Sequence, residues 1–106
     1  MNKTLKQKHL RNVVYNLIPT DKTNAISRSE LQSITNIPLR QLKEIIADLR
    51  STYPICSRET DGGGYWLSYD KKDIEEFVAM IERRIAGHTK LIKMMKSHAE
   101  DVVELN

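Results

Sequence analysis

The segment from Ser27 to Leu49 restricts this chain's fold more than any other. It reads Ser27-Arg28-Ser29-Glu30, then Leu31 and Ile34, then Asn36-Ile37-Pro38, then Leu39, Leu42, Ile45, Ile46 and Leu49. Ser27 is a helix N-cap, and Glu30 three residues later completes a capping box in which each side chain satisfies a backbone amide. The spacing predicts a helix over 28–35 with Leu31 and Ile34 on its apolar face. Asn36 supplies a left-handed stop, because asparagine tolerates positive φ. Ile37 then plugs inward, and Pro38 suits the first turn of a new helix because it has no amide hydrogen to leave unpaired. Leu39, Leu42, Ile45, Ile46 and Leu49 form that helix's buried stripe, ending near Thr52. Two short helices are thus joined by a tight turn.

The flanks extend this pattern. Residues 4–18 read as a first helix, with Leu10, Val13, Val14, Leu17 and Ile18 on one stripe and Pro19 closing it. Ala25-Ile26 forms a very short extended segment. Beyond the third helix, Tyr53-Pro54-Ile55-Cys56-Ser57 and Tyr65-Trp66-Leu67-Ser68-Tyr69 flank the polar, glycine-rich stretch 58–64, which describes a β-hairpin. Ile55 and Leu67 are expected to face the helices, with Trp66 or Tyr65 covering the other side, and the register stays open.

Residues 71–105 are helical in pattern, with Asp70 or Asp73 capping the start. Val78, Ile81, Ile85, His88, Ile92, Met95, Ala99 and Val102 alternate by three and four residues. That seam is expected to pair two chains, with His88 as a polar interruption that sets register, and folding back over its own domain is the alternative. Ile74 and Phe77 begin a second stripe nearer the domain. Gly87 costs about 1 kcal/mol in a helix interior and is an alternative break between two shorter helices.

The order helix, short strand, helix, turn, helix, hairpin resembles a winged helix-turn-helix domain over residues 4–69. Its carriers are Ile26-Ser27-Arg28-Ser29-Glu30-Leu31, Thr35-Asn36-Ile37-Pro38-Leu39 and Tyr53-Pro54-Ile55-Cys56-Ser57, with the glycine tip and Tyr65-Trp66 as the wing. It is similar to small winged-helix proteins of bacteriophages and prophages. The expected fold is therefore mainly α with a small β-hairpin: a winged domain over 1–69 and a carboxy-terminal dimerisation helix over 70–106. The resemblance implies that the third helix enters the major groove of double-stranded DNA. Arg40 would then read guanine, Gln41 adenine, Lys43 a phosphate, and Glu44 a cytosine amino group. Arg28 and Ser29 would touch the backbone at the second helix start, and Arg58 from the wing. The expected activity is that of a dimeric transcriptional regulator or replication accessory.

Charge tempers that expectation. The net charge is +3, but Lys3, Lys6, Lys8 and Arg11 lie in the first 20 residues without an acid, while residues 54–70 are net −2. Glu44 and Asp48 dilute the third helix, and Glu59 and Asp61 oppose Arg58. A charged, solvated structural helix is the plainer alternative for the third helix. A protein-binding module within a replication or regulatory assembly is the alternative function.

Other classes find little in the sequence. Cys56, the one cysteine, has no intrachain partner and reads as a strand residue filling space. The three histidines have no metal-ligand spacing, and Gly62-Gly63-Gly64 lacks the following helix and lysine of a phosphate loop. No enzyme activity, cofactor or metal is expected. No run approaches the roughly 18–20 apolar residues that cross a membrane, and the charged amino terminus has no apolar signal segment. A soluble cytoplasmic protein of one modest domain is expected.

Overall fold

A computed structural model of the chain describes residues 3–58 and 63–105, and the side chains among them from 5 to 102. Glu59 and Asp61 lie outside the described residues. In chain order the elements are α1 (Lys3–Leu17), a 3-10 turn (Lys22–Asn24), α2 (Arg28–Thr35), α3 (Leu39–Leu49), β1 (Ile55–Ser57), β2 (Tyr65–Leu67) and α4 (Lys71–Leu105). The protein is mainly helical, with one antiparallel hairpin and a long carboxy-terminal helix.

Helices α1, α2 and α3 pack on one another around Val14, Leu31, Leu42, Ile46 and Leu49, all almost fully buried. The local signals act much as their chemistry dictates. Ser27 Oγ accepts from Glu30 N at 3.1 Å. Glu30 does not return the favour to the Ser27 amide; its Oε1 accepts from the Ser27 hydroxyl at 3.2 Å. The capping box is therefore only half formed. Asn36 adopts the left-handed conformation, φ 59° and ψ 25°, and donates its amide to Gln32 O. Pro38 sits one position earlier than expected, as the N-cap of α3 (φ −56°, ψ 143°). Extended backbone at Pro38 leaves room for Ile37, 5% exposed, to turn into the core.

Two apolar residues are not where the periodicity placed them. Ile34 is 61% exposed and Leu39 40% exposed. In an eight-residue helix the inward line runs through Leu31 and, one turn on, Thr35, whose Oγ1 donates to Leu31 O at 2.6 Å. Ile34 falls beside that line. Leu39 begins α3 before the helix reaches its neighbours, and Ile37 already fills the space. Helix α3 also ends at Leu49 rather than Thr52, because Thr52 and Tyr53 both donate their amides to Leu49 O and turn the chain. Tyr53 then stacks on Tyr15 of α1, with centroids 4.4 Å apart.

The hairpin register pairs Ile55 with Leu67, Cys56 with Trp66, and Ser57 with Tyr65. Residues directly opposed share a face. Ile55, Tyr65 and Leu67 therefore join the helical core, and Cys56 and Trp66 occupy the other side. Both aromatics are buried, Tyr65 at 7% and Trp66 at 4% exposure. Ile26 adds an isolated bridge on the free edge of β2, exchanging both amide bonds with Tyr65 at 2.9 and 2.7 Å. Gly64 is required here: a Cβ on it would stand 2.9 Å from the Ala25 Cβ.

Helix α4 covers the Cys56–Trp66 side. Asp70 caps it, with Oδ1 accepting from Lys72 N at 2.8 Å. Asp73 does different work: its Oδ2 accepts from Ser68 Oγ at 2.9 Å and Trp66 Nε1 at 3.4 Å, fastening helix to hairpin. Burial foremost, then the Asp73 charge, pushes the Cys56 thiol above its ordinary value. Among the described side chains, Met80 is the last buried residue of α4 and Ile81 is half-buried. Every residue from Glu82 to Val102 is exposed, and the helix runs through Gly87 without a break. Among the described residues, no helix is long and apolar enough to cross a membrane.

Candidate nucleic-acid interface

Helix α3 presents two polar flanks of opposite character. Arg40, Lys43, Ala47 and Arg50 recur at three- and four-residue steps and lie on one side. Gln41, Glu44 and Asp48 lie on the other, along a groove shared with α1. The acids on that second flank are not loose charges. Asp48 Oδ2 sits 3.2 Å from Arg11 Nε of α1, and Arg11 also donates to Thr52 Oγ1 at 3.0 Å. Glu44 lies 3.8 Å from Arg40 across one turn, in a pair so exposed that it contributes little. The amino-terminal base nearest the domain is therefore used to neutralise α3.

On the first flank, a cleft of about 190 Å³ opens between α2, α3, the hairpin and α4. Arg28, Lys43, Arg50, Arg58 and Arg84 line it together with Ile46, Ser57, Gly63 and Tyr65, and no acid among the described residues does. Four stretches of sequence each bring cations to one concave surface. Arg28 is the first residue of α2, so the amino-terminal end of that helix adds its partial positive charge. The Arg28 guanidinium lies against Gly63, where φ is +73° and a Cβ would meet Arg28 Nη2 at 3.4 Å.

Arg50 is the most constrained of the five. Its Nε donates to Ile55 O at 2.9 Å and its Nη2 to Ser57 Oγ at 3.3 Å. Its guanidinium also lies 4.7 Å from the Phe77 ring centroid and 5.8 Å from that of Tyr65. Burial of this group, and then the like charge of Arg84, hold Arg50 below its ordinary value. Arginine is nevertheless cationic at any physiological pH. Arg58 Nη2 donates to Lys22 O, while its Nε is buried without a partner among the described residues.

The expected contact residues thus divide. The fold brings Arg28, Lys43 and Arg58 into one cleft. Arg40 stands nearby on the exposed face of α3, its side chain 94% exposed. Gln41 and Glu44 belong to the flank facing α1. Ser29 is exposed beside the cap, its hydroxyl 3.1 Å from that of Ser27. Arg50 and Arg84 were not anticipated. Arg50 continues the three-four spacing of Arg40 and Lys43, and that spacing was its available signal. Arg84 carries no local signal, because only the docking angle of α4 brings it to the cleft. No cluster of three or more metal-ligating side chains occurs among the described residues. Comparison with known protein families, curated proteins and solved structures found no match to this chain.

Proposed function

We propose that this protein is a winged-helix DNA-binding protein that acts as a dimer, of the kind used as a transcriptional regulator or replication accessory. One observation carries the reading: the cleft lined by Arg28, Lys43, Arg50, Arg58 and Arg84, with no acid among its described lining residues, on the same flank of α3 as Arg40. Phosphates are the polyanion such a surface attracts, and guanidinium groups match their geometry. In this reading α3 meets the major groove through Arg40 and Lys43, and the cleft holds the flanking backbone. The Ile26 bridge on the hairpin and the tight turn at Asn36 support the winged-helix assignment.

Fluorescence anisotropy with random-sequence duplex DNA at low and physiological salt tests it. Affinity should fall as salt rises, because cations that neutralise phosphates release counterions. No binding at low salt overturns the reading. It would leave the second one, a protein-binding module, which the exposed Ile34 and Leu39 beside the α2–α3 turn favour.

A further inference from the structure

The distal half of α4 carries apolar side chains that none of the described residues covers. Ile85, Ile92, Met95 and Val102 are each more than half exposed, at 59, 54, 58 and 56%. In proteins most of a helix's stability comes from packing its amphipathic face. We infer that a second copy of this chain covers that face, and that the two helices run antiparallel, centred between Lys93 and Met94. The inference rests on the self-association in the proposed function but not on DNA binding.

Three features of α4 select this direction. The first is the seam's own symmetry. About that centre Ile85 falls level with Val102, His88 with Ala99, and Ile92 with Met95. Each seam layer from Ile85 to Val102 therefore meets another layer, with no residue left between.

The second is volume. In a parallel, in-register pair His88 would meet His88 and Ala99 would meet Ala99. One layer would bury two polar rings and the other would leave a void, and voids and unpaired polar groups both destabilise. The antiparallel pair sets each histidine against an alanine, large against small, as close packing requires.

Charge is the third. Residues 83–96 carry five bases and no acid, whereas residues 100–104 carry three acids. Parallel pairing lays the basic stretch beside itself. Antiparallel pairing lays it level with residues 91–104, which hold two bases and three acids.

The consequence is a rod with one domain near each end. Phe77 and its copy would stand about 50 Å apart along the axis at 1.5 Å per residue. That exceeds one duplex turn of about 34–36 Å, so half-sites on DNA would be spaced more widely than a single turn.

Cysteine bridging tests the direction on the full chain. In a Cys56→Ala background, chains bearing Ile85→Cys and Val102→Cys are made separately, exchanged and oxidised. The mixed pair should bridge as its main product, and Ile85→Cys alone should not. Antiparallel chains hold the two copies of residue 85 about 25 Å apart, and a disulfide needs Cα atoms within about 7 Å. Efficient bridging of Ile85→Cys to itself would overturn the antiparallel arrangement and leave the dimer standing. A monomer in sedimentation at tens of micromolar would overturn both. Should Cys56→Ala fail to fold, the same bridges are read by peptide mass in the native background. There, products through Cys56 differ in mass.

Discussion

The body up to Met80 and the distal half of α4 are built from the same apolar periodicity, yet they use it in opposite ways. In α3, Leu42, Ile46 and Leu49 are at most 2% exposed because α1, α2 and the hairpin lie over them. In α4 beyond Glu82, a seam of equal regularity is left exposed by the described residues of the chain. Periodicity states which face of a helix will be covered. It does not state by what. The body answers from its own sequence, and the distal helix has to answer from another molecule.

The largest expected effect breaks the body and spares the rod. Leu42→Ala removes a side chain 1% exposed, and large-to-small core changes cost about 2–5 kcal/mol. Denaturant melting should show that loss. Ile92→Ala should leave the melt of the body unchanged and instead shift the monomer–dimer equilibrium seen in sedimentation. Equal melting losses from the two would erase the distinction.

The joint between the regions comes next. Asp73→Ala strands the Trp66 N–H and the Ser68 hydroxyl, and unsatisfied buried polar groups cost about 1–3 kcal/mol each. Trp66 fluorescence should report a wetter indole, and hydrogen exchange in residues 71–80 should quicken.

Removing cations from the cleft should act on binding and not on folding. Hydrogen bonds to charged groups contribute about 1.5–3 kcal/mol. Lys43→Ala combined with Arg84→Ala should therefore weaken duplex DNA at least about tenfold, and each lost phosphate contact lowers the salt slope by about one. Arg50 is a poorer probe, because it also holds β1.

Capping gives a smaller effect. Ser27→Ala should cost about 1 kcal/mol, as only one of the two capping-box amides is satisfied. The smallest effect belongs to Cys56. A thiol whose value is raised on folding contributes stability that is complete below its ordinary value of 9.0 and declines as pH rises through it. Cys56→Ala should flatten that alkaline decline, and the native thiol should react with a maleimide only as the body opens.

The elements of this fold are legible locally because their causes are local. Ser27 and Asn36 set a cap and a stop through bonds within a few residues, and Pro38 fixes the angle of the next helix. Leu39 was misplaced because it starts α3 ahead of its neighbours, and Ile34 because an eight-residue helix has too little length to define its buried line. That line was drawn by the neighbours and by Thr35. The hairpin register was open because alternation allows either face inward, until Ile26 paired with Tyr65 and Gly64 closed on Ala25. Counted along the chain, residues 54–70 hold a single base, Arg58. The cleft gathers Arg28, Arg50, Arg58 and Arg84 from segments far apart in sequence.

By itself, then, the sequence determined where the helices start and stop, that a hairpin follows them, and that α4 carries a seam. Those are consequences of backbone capping, turn chemistry and side-chain period, each acting over a handful of residues. Tertiary structure alone decided which cations share a surface, which acids are already neutralised, and where α4 leaves its own domain. Electrostatic potential and burial depend on distance in space, and only packing converts sequence separation into distance.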